Sequence, residues 1–175
     1  MPSIRVCPLP EEALLTRYAL AGAYTDCFTT EIARPVSQAA YVEAFYTCAL
    51  FKLERFLLTW VMSKPSTDAQ ARDLASGASD TFAAWRVEAR SANQLLVCDF
   101  LGYTRSWLMI APRDEGAAFT RLYFGTAVVP AHDKVSGQAT WTFTFKALLG
   151  FHKLYARALL WAARSRLERG GGGQY

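Results

Sequence analysis

Phe82-Ala-Ala-Trp-Arg-Val-Glu-Ala-Arg90, Gln94-Leu-Leu-Val-Cys-Asp-Phe100 and Tyr103-Thr-Arg-Ser-Trp-Leu-Met-Ile-Ala111 follow one another in the chain, and their reading decides the fold. Each is rich in β-branched and aromatic residues and alternates with a period of two, the pattern of a strand with unlike faces. Short joints at Ser91-Ala-Asn93 and Gly102 separate them. After a longer joint at 112–118, Thr120 to Val129 repeats the pattern. Four successive antiparallel strands are expected.

Upstream the period changes. Pro10 to Arg17 reads as a short helix stopped near Gly22, and Tyr24 to Ile32 as a first strand. Ser37 is placed to cap a long apolar helix from Gln38 to Met62, broken at Lys64-Pro65-Ser66. Thr67-x-x-Gln70 is a capping-box pattern opening a second helix that ends near Gly77. Downstream, Pro130 to Ala139 is a polar loop, Thr142 to Glu168 a long helix, and Gly170 to Gly173 part of a flexible tail. The sequence therefore predicts an α+β fold: a curved antiparallel sheet gripping a long C-terminal helix, with two helices inserted after the first strand. One domain over 1–169 and a tail over 170–175 account for the chain.

The 175 residues are 52% hydrophobic and 19% charged, enough for a core and too apolar for a largely disordered chain. The net charge of +4 is a mild excess and forms no dense basic patch, so nucleic acid is not expected as a partner. The most apolar stretch, Tyr41 to Met62, is interrupted by Glu43, Lys52, Glu54 and Arg55, which argues against a transmembrane segment. No export signal is read at the N-terminus, so Cys7, Cys27, Cys48 and Cys98 are expected as free thiols in the cytoplasm. Their spacing, with only two histidines, makes no zinc framework. Without H-E-x-x-H, a Walker loop or G-x-G-x-x-G, neither a metal nor a cofactor is expected. His132-Asp133 lacks a nearby nucleophile elbow and reads as an exposed loop pair.

The order of elements over roughly residues 20–168 resembles the helix-grip fold of the START/Bet v 1-like (SRPBCC) superfamily. Thr104-Arg-Ser-Trp-Leu-Met, Thr120-Arg-Leu-Tyr-Phe-Gly-Thr-Ala-Val-Val-Pro and Leu148-Leu-Gly-Phe-His-Lys-Leu-Tyr also resemble segments of an uncharacterised bacterial family of unknown function. The superfamily resemblance implies an apolar cavity between sheet and C-terminal helix, as in lipid carriers, hormone receptors and polyketide cyclases. It has no universal catalytic motif, so it assigns no role to any residue. Five strands are read here where that fold usually has six or seven.

Which side chains line such a cavity depends on register, because a one-residue slip inverts a strand. Three-residue loops at Ser91-Ala92-Asn93 and Phe100-Leu101-Gly102 put Trp85, Val87, Ala89, Leu95, Val97, Asp99, Tyr103, Arg105, Trp107 and Met109 on one face. A two-residue turn at either joint would undo this. On that register Asp99 and Arg105 pair among Trp85, Tyr103 and Trp107. They read either as a polar anchor for an anionic or carbonyl group, or as a structural ion pair. At helical spacing His152 joins Leu148, Tyr155, Leu159 and Ala162 on an apolar stripe, as an acid/base group or a packing residue. Lys146, Lys153, Arg157 and Arg164 form an opposite basic stripe, either a solvated face or a weak peripheral contact with an anionic membrane.

The expected ligand pocket is thus Trp85, Asp99, Tyr103, Arg105, Trp107, His152 and Tyr155. Its expected occupant is an apolar or lipid-like small molecule. A cyclase- or hydratase-type enzyme, or an interaction module with a filled cavity, are the alternatives. A convergent polar set would favour chemistry, an all-apolar void carriage, and a solid interior the third.

Overall fold

The computed structural model describes residues 3–53, 66–112, 119–129 and 143–170, with the side chains of 143–151 left out of account. Seven strands form one antiparallel sheet: β1 (Arg5–Val6), β2 (Tyr24–Ile32), β3 (Thr81–Phe82), β4 (Trp85–Ser91), β5 (Gln94–Asp99), β6 (Thr104–Pro112) and β7 (Thr120–Val128). Their spatial order is β1-β2-β7-β6-β5-β4-β3, so the sheet is open, with the two shortest strands at its edges. The sequence reading missed both edge strands, because two residues show no periodicity.

Among the described residues the sheet is accompanied by helices α1 (Thr16–Leu20), α2 (Gln38–Thr47), α3 (Asp68–Ser76) and α4 (Phe143–Gly170), which make the fold α+β. Ser37 caps α2 by accepting from the Ala40 N–H. At α3 the Thr67 hydroxyl accepts from the Gln70 N–H, and the Gln70 side chain accepts from the Thr67 N–H. Gly77, at φ +84°, closes α3 in the left-handed conformation that glycine adopts without a Cβ clash.

The long helix expected over Gln38–Met62 is instead broken. Cys48 is extended, with ψ 156°, and its Sγ accepts from the Phe51 N–H to start a new helical turn at 49–53. Residues 54–65, with the expected helix end, lie outside the described residues, as do 113–118, 130–142, with the expected polar loop and its His132-Asp133, and 171–175, with most of the expected tail. The early helix is also displaced: turns occupy 11–15, and α1 begins only at Thr16.

Both faces of the sheet are covered. The inner face carries Phe28, Ile32, Leu95, Val97, Leu108, Leu122 and Phe124 against Tyr41, Phe45 and Tyr46 of α2 and Ala156, Leu160 and Ala163 of α4. The outer face buries Leu96, Trp107, Met109 and Ala127 beneath Ala13 and Leu15 of the N-terminal segment. Gln94 fastens that segment: its Oε1 accepts from the Leu14 N–H (2.9 Å) and the Trp107 indole (2.8 Å), and its Nε2 donates to the Glu12 carbonyl (3.0 Å).

The expected register fails in two places. Ser91 pairs with Gln94, so Ala92-Asn93 is a two-residue turn, and a bulge between Val87 and Ala89 shifts the ladder. Trp85, Val87, Leu95, Val97 and Asp99 stay inward, but Ala89 turns outward. The next loop contains four residues, 100–103, because Asp99 ends β5 and Thr104 opens β6. Arg105, opposite Cys98, and Trp107, opposite Leu96, therefore face outward with Met109. The inward residues of β6 include Thr104, Ser106, Leu108 and Ile110.

Candidate functional site

A cavity of about 370 Å³ lies between the inner face of the sheet, α2 with its following turn, and α4. Its apolar wall is Phe45, Phe51, Phe124, Tyr155, Ala156 and Leu159, with Trp85 on the sheet side. Phe45 and Phe124 pack with ring centroids 4.8 Å apart. Phe100 and Leu101, at the tip of the β5–β6 loop, border the cavity while remaining more than half exposed. Large apolar side chains exposed together beside a cavity are a mark of ligand-binding grooves and interfaces.

Two polar features interrupt the wall. The first is the Trp85 indole N–H, which is buried and has no hydrogen-bond partner among the described residues. A buried donor left unpaired costs about 1–3 kcal/mol. The second joins β2, β7 and α4. Asp26 and Thr126 are opposite one another in the β2–β7 ladder and face inward. The Asp26 Oδ1 accepts from both the Thr126 N–H (3.1 Å) and the Thr126 hydroxyl (2.7 Å). From α4, His152 brings Nε2 to 2.8 Å from the Thr126 hydroxyl oxygen and 3.5 Å from Asp26 Oδ2. The Tyr24 hydroxyl donates to the same Oδ2. Burial, reinforced by the Asp26 charge and hydrogen bond, pushes the Tyr24 phenol up to about 12, so it stays a donor.

Proton counting assigns the direction of this hydrogen bond. The one hydroxyl proton of Thr126 goes to Asp26, so toward His152 the oxygen can only accept. Nε2 must then carry a proton and donate to Thr126, while Nδ1 has no partner among the described residues. His152 and Thr126 both line the cavity, while the Asp26 carboxylate lies behind them, its side chain only 6% exposed.

Of the expected pocket, Trp85, Asp99, His152 and Tyr155 come together. Asp99 stands at the rim, with Oδ1 accepting from the Tyr103 N–H (2.9 Å) and closing the loop. The expected Asp99–Arg105 pair is corrected: Arg105 Nε donates to Glu88 at 3.2 Å, and its guanidinium lies over the Tyr18 ring. The bulge explains this, since it leaves Glu88 out of the ladder on the side where Arg17, Tyr18 and Arg105 converge on its carboxylate. Arg105 is nonetheless among the residues that line the cavity. Trp107 is fully buried in the outer layer and Tyr103 is half exposed on the loop, and neither lines the cavity.

Arg164 is likewise removed from the basic stripe. It is buried, with Nε donating to the Glu31 carbonyl at 2.9 Å, while Lys153 and Arg157 remain exposed. Asp26 and Thr126 were not singled out from the sequence. One signal was available: Asp26, Phe28, Thr30 and Ile32 share a face, and Asp26 is its only charge.

Among the described residues, no group of three or more His, Cys, Asp or Glu side chains is placed to hold a metal ion, and no helix is long and apolar enough to cross a membrane. In comparisons with known proteins, no family model, no curated protein and no solved structure matches the chain. The functional reading stands on the residues themselves.

Proposed function

We propose that the protein binds a largely apolar small molecule, one carrying a hydrogen-bonding oxygen, in the cavity between the sheet and α4. The observation that carries this is an aromatic-walled cavity that His152 and Thr126 also line, with the Trp85 indole N–H buried and without a partner among the described residues. About 370 Å³ falls at the small end of the roughly 300–1,000 Å³ typical of ligand sites, which suits a compact guest better than a two-chain lipid. The element order resembles the helix-grip arrangement of the SRPBCC superfamily, and seven strands bring the chain nearer to that fold than five did. Native mass spectrometry of the purified protein tests the reading: a co-purified small molecule, lost from a Trp85→Phe, Thr126→Val double variant, is the expected result. Failure of any apolar probe to displace a guest or to enter the cavity would overturn it.

A second reading, acid–base chemistry on the bound molecule, is favoured by the His152–Thr126–Asp26 chain. A neutral imidazole whose Nε2–H is held by Thr126 beside a buried carboxylate is arranged to take up a proton at Nδ1 and have the resulting cation stabilised. This reading supports a hydration, dehydration or cyclisation and adds His152 as base, Asp26 as its electrostatic partner and Trp85 as donor to a developing oxyanion. His152→Gln separates the two readings: retained binding with lost turnover fits the enzyme, and retained binding without any turnover in the native protein fits the carrier.

A further inference from the structure

On the outer side of the molecule, Cys7 and Cys27 stand with their sulfurs 3.2 Å apart. The ladder places them there. Arg5 pairs with Thr29 and Val6 with Phe28, so the next residue, Cys7, meets Cys27, and the Cys7 N–H donates to the Cys27 carbonyl at 3.1 Å. Opposed residues of an antiparallel pair have Cα atoms about 4.5–5.5 Å apart, within the roughly 4.4–6.8 Å that a disulfide spans. We propose that Cys7 and Cys27 are a redox-active dithiol, oxidised by a peroxide to an intramolecular disulfide that staples the N-terminal segment to β2.

The two thiols differ in the way such a reaction needs. Cys7 is partly exposed and borders two surface grooves, whereas Cys27 is buried at 2% exposure. The hydrogen bond from the Cys27 thiol lowers the Cys7 pKa; burial opposes this, and the positive charge of Arg121 assists it. Cys27 is correspondingly held protonated by that same bond and by burial. Cys7 is thus the accessible nucleophile and Cys27 the resolving thiol.

The steps balance. The Cys7 thiolate attacks one oxygen of hydrogen peroxide, the O–O bond breaks, and the departing hydroxide takes a proton from solvent; Cys7 becomes a sulfenic acid. The Cys27 sulfur then attacks the Cys7 sulfur, the S–OH bond breaks, and the Cys27 proton leaves with the hydroxide as water. Two thiols lose two electrons and two hydrogens, and the peroxide is reduced to two waters. The other two cysteines, Cys48 and Cys98, are buried, and Cys98 is raised chiefly by burial, so neither competes.

Peptide mapping by mass spectrometry after brief treatment of the full chain with hydrogen peroxide tests this, since cleavage after Arg17 separates the two cysteines. A Cys7–Cys27 crosslink should form, and in the native state the partly exposed Cys7 should be alkylated on the order of tenfold or more faster than the buried Cys48 or Cys98. Cys27→Ser should leave a sulfenic acid on Cys7 that dimedone traps, and Cys7→Ser should leave Cys27 reduced. Circular dichroism melts show that each variant is folded before it is scored. A Cys7 that remains reduced, runs on to the sulfinic acid with Cys27 intact, or crosslinks to Cys98 would overturn the proposal.

Discussion

His152 on the C-terminal helix reaches Asp26 on β2 by way of one hydroxyl group, that of Thr126, with both hydrogen bonds at 2.8 Å or shorter. The carboxylate also receives the Thr126 backbone N–H and the Tyr24 hydroxyl, so a single side chain satisfies donors from two strands. Removing it strands those donors inside the molecule. Asp26→Ala should therefore lower stability by about 2–4 kcal/mol, since each buried unpaired group costs about 1–3 kcal/mol. His152 is 29% exposed and gives up less, so His152→Gln should cost under about 1 kcal/mol. Urea titrations of the two variants check the ranking, and equal losses would contradict it.

Trp85 offers the opposite case, a buried donor with no partner among the described residues. Trp85→Phe keeps most of the ring and deletes the N–H. The free protein should then be unchanged or up to ~1 kcal/mol more stable, because an unpaired buried group is removed. Affinity for a co-purified guest should fall roughly tenfold, the loss of one hydrogen bond at about 1.4 kcal/mol. Calorimetry on the stripped protein, with the extracted guest added back, measures both quantities. A variant that binds as tightly as the native protein would show that Trp85 is not the contact.

Glu88 gives a pH dependence. Burial alone would raise its carboxyl, but the Tyr18 hydroxyl and the charges of Arg17 and Arg105 outweigh it, and the net shift is downward from 4.5. A carboxylate whose folded pKa is depressed contributes stability above its unfolded pKa and loses that contribution as pH falls through the folded value. The stability gap between the native protein and Glu88→Gln should be fully open at pH 7 and close below about pH 4. Chemical denaturation across that range follows it. A gap that widens toward acid would reverse the sign and refute the assignment.

These sites differ in how far the chain announced them. The change to period two near Asp80, the Thr67–Gln70 capping box and the Ser37 cap are local signals, and each has its structural counterpart in β4–β7, α3 and α2. Trp85, Asp99, His152 and Tyr155 were legible for the same reason, since each follows from periodicity within one element. Arg105 and Trp107 were not. Their direction depends on a bulge at Glu88 and on a loop of four residues, and neither is encoded by a residue type that only one turn accepts. Gly102 does take a positive φ, +79°, but a glycine in that conformation fits more than one loop length. The Asp26–Thr126–His152 cluster draws on three elements far apart in the chain, a proximity that no local pattern carries.

The last prediction concerns Gly125, where β7 passes beneath the Trp107 ring. A Cβ there would lie 2.9 Å from the Trp107 ring edge, 2.9 Å from the Asp26 carbonyl and 3.0 Å from a Leu15 methyl. Only the Leu15 methyl is a side-chain end with freedom to move. The Trp107 ring is held by its indole bond to Gln94 and by complete burial, and the Asp26 carbonyl belongs to the backbone of the neighbouring strand. Gly125→Ala should therefore destabilise by about 1–3 kcal/mol, the usual cost of overpacking, although alanine is otherwise easier to order than glycine. Relief should be partial when Trp107 is made smaller. In a Trp107→Leu background the ring contact is gone and the carbonyl contact remains, so adding Gly125→Ala should cost less than in the native chain but still more than zero. A double-mutant cycle from thermal melts gives the coupling directly. Strict additivity would mean that the ring and β7 do not touch as described, and that the outer layer under the N-terminal segment is packed in some other way.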